Sequence, residues 1–145
     1  MNKINYILSA AGGYIISLLG GVDQQLRALV LIMVLDFISG VLAACIGKST
    51  KTESGYLSSK AMGAGVGKKI AYLICVIVAV LLAETTGLTC IREIVIISFV
   101  VTECLSVLEN CGKVGIKPPR VIYNVLDALK RKTEEHSKDQ NQDGD

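Results

Sequence analysis

The chain has 145 residues, of which 51% are hydrophobic and only 19% charged, and its formal net charge is +2. Soluble domains of this length are rarely so apolar, and so small a net charge excludes the broad basic surface typical of nucleic-acid-binding proteins. We therefore expect a single-domain, all-α integral membrane protein, with no nucleic acid among its partners.

The first apolar stretch, residues 4–22, contains no charged side chain but includes four glycines, which disfavour a helix. It is barely long enough to span a bilayer, because a span takes about 20 residues. We predict a transmembrane helix here, with a helix lying in the membrane interface as the alternative. A cleaved signal peptide is disfavoured, because apolar residues continue past Ala11 and no A-x-A site follows.

The second stretch, residues 28–47, is the most apolar, and Asp36 lies near its centre. Each large apolar residue favours insertion by roughly 0.3 to 0.6 kcal/mol, whereas a central aspartate costs about 3 kcal/mol. Eleven Leu, Ile, Val and Phe residues outweigh that cost, so the stretch is predicted to insert.

Residues 48–67 are predicted to form a basic loop after the second span. The glycine-rich run at 63–67 precedes Lys68 and Lys69, but it lacks the Walker spacing and no strand precedes it. Attachment to anionic lipid head groups is therefore favoured over a phosphate loop.

The third and fourth stretches, residues 68–86 and 91–109, also contain carboxylates. Glu84 lies near the end of the third, and Glu103 lies within the fourth. Glu109 and Asn110 are expected to cap the fourth helix at the membrane interface. Residues 1–112 are thus predicted to be a transmembrane domain with four helices, or three if the first stretch does not span.

The remaining residues form a polar C-terminal region. Residues 113–133 are predicted to contain a cytoplasmic amphipathic helix, whose apolar face carries Val121, Ile122, Val125, Leu126 and Leu129. Such a helix suits an anionic membrane surface, and packing on the protein's own loops or on a partner subunit is the alternative. Residues 134–145 are predicted to be a disordered tail.

The basic residues predict the topology, because they follow the second and fourth spans. Four spans with both termini in the cytoplasm satisfy the positive-inside rule at every loop. If the first stretch does not span, the N-terminus lies outside. The predicted membrane-surface anchors are Lys48, Lys51, Lys60, Lys68, Lys69, Arg120, Lys130, Arg131 and Lys132.

Ionisable residues inside a bilayer are expensive and point to a partner, a water-filled path or an assembly interface. Asp36 shares a helix face with Gly40, and Gly40 with Ala44 has the small-xxx-small spacing of close helix contacts. The predicted pore-lining or helix-contact residues are Asp36, Gly40, Ala44, Glu84, Glu103, Ser106, Glu109 and Asn110.

Three interpretations of the carboxylates remain open. They line a pore after assembly, bind a cation or proton in a small transporter, or hydrogen-bond inside a bundle. A transporter is expected to show internal repeats, and we see none. Neutralisation by an ion pair would require Lys68, Lys69 or Arg92 from the end of a helix.

Enzymatic and metal-binding functions have little support. The five cysteines form no CxxC pair, and His136, the single histidine, lies in the polar tail. The sequence contains no HExxH, GxSxG or Cys–His arrangement. We expect no enzymatic activity, no catalytic residue, no metal and no cofactor.

Four sequence runs resemble phage holins of the toxin-secretion and phage-lysis type. They are Leu-Asp-Phe-Ile-Ser-Gly at 35–40, Gly-Lys-Lys at 67–69, Glu-Cys-Leu-Ser-Val-Leu-Glu-Asn at 103–110 and Gly-Ile-Lys-Pro-Pro at 115–119. The resemblance covers roughly residues 28–132. The chain departs from the family's Gly-x-Pro-x-Pro pattern, in which only Pro119 keeps its expected place.

The resemblance implies a non-enzymatic lytic protein of the bacterial cytoplasmic membrane. Such proteins assemble with copies of themselves into lesions through which an endolysin, or in toxin loci a toxin, leaves the cell. The expected partners are therefore the lipid bilayer, further copies of the chain, and an endolysin or exported toxin. The alternatives are a small cation channel or transporter, and an accessory protein that holds a partner through residues 119–132.

Overall fold

The computed structural model describes residues 2–50 and 54–142, with side chains described as far as residue 135. Within these ranges the fold is all-helical, as predicted, and contains no strand. The helices are α1 Lys3–Leu18, α2 Gln24–Cys45, α3 Ser59–Thr86, α4 Ile91–Val114 and α5 Arg120–Gln142.

Local chemistry explains several helix ends. Asp23 caps α2, because its Oδ1 accepts a hydrogen bond of 2.8 Å from the backbone N–H of Leu26. α3 and α4 end at Gly87 and Gly115, whose φ values of 76° and 102° lie in the left-handed region that favours glycine. The sequence thus terminates each helix before a short connection.

α4 is the central helix and packs against α2, α3 and α5, most extensively against α2. Tyr72 of α3 stacks on Phe99 of α4 with ring centroids 4.1 Å apart. α1 contributes no buried side chain, so it lies at the edge of this arrangement. The core consists of Leu19, Leu26, Leu29, Met33, Val76 and Ile96.

Two helices, α2 with 22 residues and α3 with 28, are long and apolar enough to cross a membrane. The predicted count of four, or three, is therefore too high by this criterion of length and composition. α1 has only 16 residues, whereas a span takes about 20. α4 is long enough but carries five charged side chains, namely Arg92, Glu93, Glu103, Glu109 and Lys113.

The predicted basic loop at 48–67 is wrong in its second half, because α3 already begins at Ser59. Glycine in a helix interior costs about 1 kcal/mol relative to alanine, which is why the run at 63–67 pointed to a loop. The helix nevertheless continues through this run to Lys69 and Tyr72, which contact Glu103 and Phe99 of α4. Lys51 lies outside the described residues.

Two other boundaries differ from the prediction. α4 extends to Val114 rather than ending near 109, so Glu109 and Asn110 lie inside the helix and do not cap it. α5 extends to Gln142, although a disordered tail was expected from 134. Residues 143–145 of that predicted tail lie outside the described part of the chain.

Candidate functional site

A lysine joins two buried carboxylates where three helices meet. Nζ of Lys69 on α3 donates a hydrogen bond of 2.8 Å to Oδ2 of Asp36 on α2, and another to Oε2 of Glu103 on α4. Only 5% of Asp36 and none of Glu103 is exposed. These three residues and Asn110 are termed the carboxylate–lysine cluster. Asp36 and Glu103 were predicted from sequence, and the structure brings them together.

Asn110 connects α4 to α2 beside the lysine. Its Nδ2 donates to Oδ1 of Asp36 at 3.3 Å and to Oγ of Ser39 at 3.0 Å. Oγ of Ser39 in turn donates to the backbone carbonyl of Asp36 at 3.0 Å. Asn110 is therefore a buried helix-contact residue rather than a cap at the interface.

The cluster contains two carboxylates and one lysine, and a second lysine, Lys68, lies close to it. Nζ of Lys68 lies 3.7 Å from Oε1 of Glu103, close enough for attraction, while its half-exposed side chain lies over the ring of Tyr72. Oε1 of Glu103 is buried and has no hydrogen-bond partner among the described residues. A buried carboxylate oxygen without such a partner is costly, so this side of the cluster is its weaker part.

The cluster lies well inside the helices rather than at their ends. Asp36 is thirteen residues beyond Asp23, and Glu103 is twelve residues beyond Ile91. At 1.5 Å per residue, both lie about 18 to 20 Å from the same end of the bundle. A bilayer that enclosed these helices would therefore enclose the cluster.

Gly40 and Ala44 line an open cleft between α2 and α3, opposite Ala61 and Gly65. Asp36 and Lys69 also line this cleft, whose cavity volume is about 50 Å³. The small residues thus leave a narrow recess beside the cluster.

The other predicted pore-lining or contact residues lie outside the cluster. Glu84 is exposed near the end of α3, fifteen residues or roughly 22 Å along the helix from Lys69. Glu109 is exposed and pairs with Lys113 at 2.8 Å. Ser106 and Glu109 both line a cavity between α4 and α5.

Lys69 is not a membrane-surface anchor, contrary to the prediction. Successive helix residues differ by about 100° in direction, so Lys69 turns towards α4 while Lys68 remains half exposed. The predicted anchors that the structure shows as exposed are Lys48, Lys60, Arg120, Lys130, Arg131 and Lys132.

Comparison with known proteins supplies the family. The sequence profile of the bacteriophage holin family matches residues 13–131. The chain belongs to that family. Holins permeabilise membranes and are not enzymes, and membership together with two apolar helices indicates a membrane protein.

Proteins of Listeria and Clostridium are similar to this holin-family chain. It is 39% identical to a protein of Listeria monocytogenes and 38% identical to one of Listeria innocua, each over 84% of this chain and 86% of the relative. It is 28% identical to an uncharacterised 14.9 kDa protein in the nagH 3' region of Clostridium perfringens, over 90% of this chain and 98% of the relative. No solved structure shows a significant match.

A second polar contact in this holin-family chain was not predicted from its sequence. Arg92, at the start of α4, donates from Nε to the carbonyl of Leu19 at 2.8 Å and from Nη1 to Oδ2 of Asp23 at 2.5 Å. Gly20 accommodates the guanidinium, because a Cβ there would lie 2.8 Å from Nε. The sequence did contain a signal for this contact. Asp23 lies in the short connection before α2, and Arg92 follows the short connection before α4, so both lie at the same end of the bundle.

We expect the contact between Arg92 and Asp23 to stabilise the fold at neutral pH and to lose this effect in acid. The hydrogen bond from Arg92 is the main cause that lowers the pKa of Asp23 below its usual 3.8. A lowered pKa in the folded state stabilises the protein above pH 3.8, and this stabilisation disappears as the pH falls through the folded-state value.

Asp23→Asn tests this dependence, because the amide oxygen preserves the cap of α2 while the charge is removed. The variant should unfold at a lower temperature than the unmodified chain at pH 6, and the difference should shrink below pH 3.8. Thermal unfolding in detergent across this range measures the difference. A constant difference at all pH values would contradict the assignment.

Proposed function

We propose that this holin-family chain assembles with copies of itself in the bacterial cytoplasmic membrane into a lesion that releases a murein hydrolase and lyses the host. The observation that carries the proposal is the carboxylate–lysine cluster, buried between apolar helices in a chain of a membrane-permeabilising family. Ionisable side chains inside a membrane are energetically costly, so their positions are candidates for a functional role.

In the proposed closed state, Lys69 and the nearby Lys68 offset the charges of Asp36 and Glu103 inside a single bundle. The net stabilisation from such a pair is small, because the cost of removing charges from water offsets much of their attraction. Exposure of the same groups to water in a lesion restores their hydration. The cluster therefore supports the closed bundle at low density without preventing rearrangement when copies accumulate.

The proposed topology places α2, α3 and α4 across the membrane and the C-terminus in the cytoplasm. α4 is added to the two apolar helices because it packs along α2 and because the cluster neutralises Glu103. The basic residues near 48 and beyond 113 then lie in the cytoplasm, in agreement with the positive-inside rule. α1, which is short and has no buried side chain, lies in the outer interface.

Asp36→Leu is expected to block lesion formation without blocking insertion. It removes one of the two acceptors of Lys69 and one of the two acceptors of Asn110, while the apolar side chain favours insertion more strongly than aspartate. Quantification of the protein in the membrane fraction, together with the time course of lysis, separates the two steps. Normal lysis by a well-inserted Asp36→Leu protein would remove Asp36 from the mechanism.

The proposed function is tested by culture density after induced expression in a bacterial host. One culture co-expresses a murein hydrolase that lacks an export signal, and the other does not. Abrupt lysis in the hydrolase-containing culture alone is the expected result, because only a lesion passes the hydrolase to the cell wall. Equal behaviour of the two cultures would contradict release of a protein.

A cation channel or transporter is the second candidate function. The observation that favours it is the narrow cleft between α2 and α3 that Asp36 and Lys69 line. This function predicts depolarisation and growth arrest in both cultures, with no lysis that depends on the hydrolase. The same pair of cultures therefore distinguishes the two candidates.

A further inference from the structure

The cleft between α2 and α3 is a gap between two apolar helices that both pack on α4. The backbones of α2 and α3 come close to each other at few points, although each packs along α4. A hydrogen bond from Lys69 to Asp36 joins the two helices at the deep end of this gap. Small residues such as Gly40 and Gly65 line it. The gap, termed the α2–α3 cleft, is therefore a groove that the protein itself leaves unfilled.

Apolar side chains line the middle of the α2–α3 cleft, and polar groups lie at its two ends. Phe37 and Val41 of α2 and Met62 of α3 are among the apolar lining residues, and Asp36 and Lys69 lie at the deep end. This order of polar mouth, apolar wall and polar base suits an amphiphile, whose head stays at the mouth. The lining residues at the mouth are Ser49, Tyr56, Leu57 and Ser58.

The length of the α2–α3 cleft matches one leaflet of a bilayer. Ser58 at the mouth and Lys69 at the deep end are eleven residues apart, which is about 16 Å along a helix. Half of the hydrocarbon core of a bilayer is about 15 Å thick. In the described part of the chain, α2 and α3 are the two helices long and apolar enough to cross a membrane. One extended acyl chain therefore reaches from the mouth to the carboxylate–lysine cluster.

The mouth of the cleft suits an anionic head group. Ser58, the N-cap residue of α3, makes no side-chain hydrogen bond to the first turn, so the N–H groups of that turn lack this partner. The start of a helix attracts anions through these N–H groups and through the helix dipole. Exposed Lys48 adjoins Ser49, and residues 46–60 contain three lysines and one glutamate. Positive charge is therefore concentrated where the phosphate of a lipid would lie.

Gly65 keeps the wall of the α2–α3 cleft open. Glycine disfavours a helix interior, so its presence in α3 lowers helix propensity. A Cβ at Gly65 would meet no neighbouring atom within 4 Å, so packing within the described part of the chain does not require glycine there. A larger side chain at this lining position would instead occupy the cleft. The glycine thus preserves space for an occupant from outside the chain.

We propose that the α2–α3 cleft is a lipid site, which binds one acyl chain of an anionic phospholipid of the cytoplasmic leaflet and holds its phosphate at the start of α3. The inference rests on the proposed function, whose topology places this end of α3 in the cytoplasm. The acyl chain fills the gap between α2 and α3, and its far end lies against the carboxylate–lysine cluster. Bound lipid favours the closed bundle, because it binds the arrangement in which both walls of the cleft are in place.

A single tryptophan tests the site, because the chain contains none. Leu57→Trp places this reporter at the mouth of the cleft, and Ile74→Trp, at an exposed position of α3 outside the cleft, is the control. Each full-length variant is placed as one copy in a phosphatidylcholine nanodisc. Phosphatidylglycerol or phosphatidylcholine with brominated acyl chains, which quench tryptophan fluorescence, is then titrated in.

Brominated phosphatidylglycerol should quench Leu57→Trp at a several-fold lower mole fraction than brominated phosphatidylcholine does. The two lipids should quench Ile74→Trp equally, because that position contacts lipid without selecting it. Equal quenching of Leu57→Trp by the two lipids would overturn the lipid site.

Two glycine substitutions in the Leu57→Trp chain test the wall of the cleft. Gly65→Leu fills the cleft, whereas Gly63→Leu adds the same side chain at an exposed position of α3 outside it. A Cβ at either position meets nothing within 4 Å, and leucine has the higher helix propensity, so both variants should fold. Gly65→Leu should abolish the preference for phosphatidylglycerol, and Gly63→Leu should retain it. A preference that survives in Gly65→Leu, or is lost equally in both, would overturn the proposal.

Lys48→Gln tests the head group and leaves the wall of the cleft unchanged. It should reduce the preference of the Leu57→Trp chain for phosphatidylglycerol about fivefold, which is the effect of one lysine near an anionic surface. Lys3→Gln, an exposed lysine at the start of α1, is the control and should have no effect. An unchanged preference in Lys48→Gln would refute the position of the phosphate.

The lipid site and the proposed function fail in different experiments. A nanodisc with one copy reports lipid binding without lysis. Equal quenching by the two lipids would remove the site and leave hydrolase-dependent lysis untouched. Absence of hydrolase-dependent lysis would remove the proposed function, while selective quenching would still show the site.

Discussion

Lys69→Met is expected to destabilise the folded chain by about 3 to 5 kcal/mol, because removal of one partner leaves buried charges without compensation. Lys69 supplies hydrogen bonds to both Asp36 and Glu103, and both carboxylates are buried. Methionine preserves much of the length and apolar character of the lysine stem. Thermal unfolding in detergent, and the amount of protein that accumulates in the membrane, measure the effect.

Two further variants make the Lys69→Met result specific. Lys60→Met changes an exposed lysine in the first turn of the same helix and should leave stability nearly unchanged. Addition of Glu103→Gln to Lys69→Met removes one of the uncompensated charges and should restore part of the lost stability. Equal stability of Lys69→Met and Lys60→Met would show that the cluster does not hold α3 to α4.

Ile96→Ala is expected to cost about 2 to 5 kcal/mol, because deletion of a buried aliphatic side chain loses its contacts and leaves a cavity. Ile96 is completely buried and lies on α4, in the core cluster that also contains Leu29 and Val76. The same substitution at Ile74, which is 55% exposed on α3, is the matched control.

Thermal unfolding of the two alanine variants in the same detergent compares them directly. The midpoint of Ile96→Ala should be lower by roughly 5 to 15 °C, and that of Ile74→Ala by much less. Similar midpoints would mean that the packing of α4 against α2 and α3 contributes little to the stability of the bundle.

The central residues of the candidate site could be predicted from sequence because their chemistry conflicts with their surroundings. Asp36 and Glu103 stand out as carboxylates within apolar runs, and such residues need partners. The sequence also limited the available cations to Lys68, Lys69 and Arg92. It could not select Lys69, because the choice depends on which side of α3 faces α4, and that is set by tertiary packing.

Glu84 shows the limit of this argument. Glu103 lies within its apolar stretch and is buried, whereas Glu84 lies near the end of an apolar stretch and is exposed near the end of α3. The sequence does not reveal how far a helix continues beyond its apolar run. Asn110 shows the converse, since α4 continues past it and converts an expected cap into a buried contact with α2.

The start of α3 was mispredicted because glycine has a low helix propensity. The glycines at 63–67 indicated a loop, although tertiary context can override propensity. The spans were predicted from each apolar stretch alone. The sequence did not show that α1 would be shorter than a span requires, or that Lys69 of α3 would pair with Glu103 of α4.

In the proposed mechanism, the carboxylate–lysine cluster is closed in the single bundle and opens to water in the lesion. The accessibility of Ser39 measures this opening, because its hydroxyl accepts a hydrogen bond from Asn110 and donates one to the backbone carbonyl of Asp36. Ser39→Cys in a chain without other cysteines can be labelled with a membrane-impermeant maleimide in inside-out vesicles, prepared before and after the onset of lysis. Ser59→Cys, at an exposed position that starts α3, is the control that should label at both times.

Labelling of Ser39→Cys is expected to be low before the onset of lysis and to rise several-fold after it, while labelling of Ser59→Cys stays constant. Equal labelling of Ser39→Cys at both times, in a culture that lyses normally, would contradict the opening of the cluster.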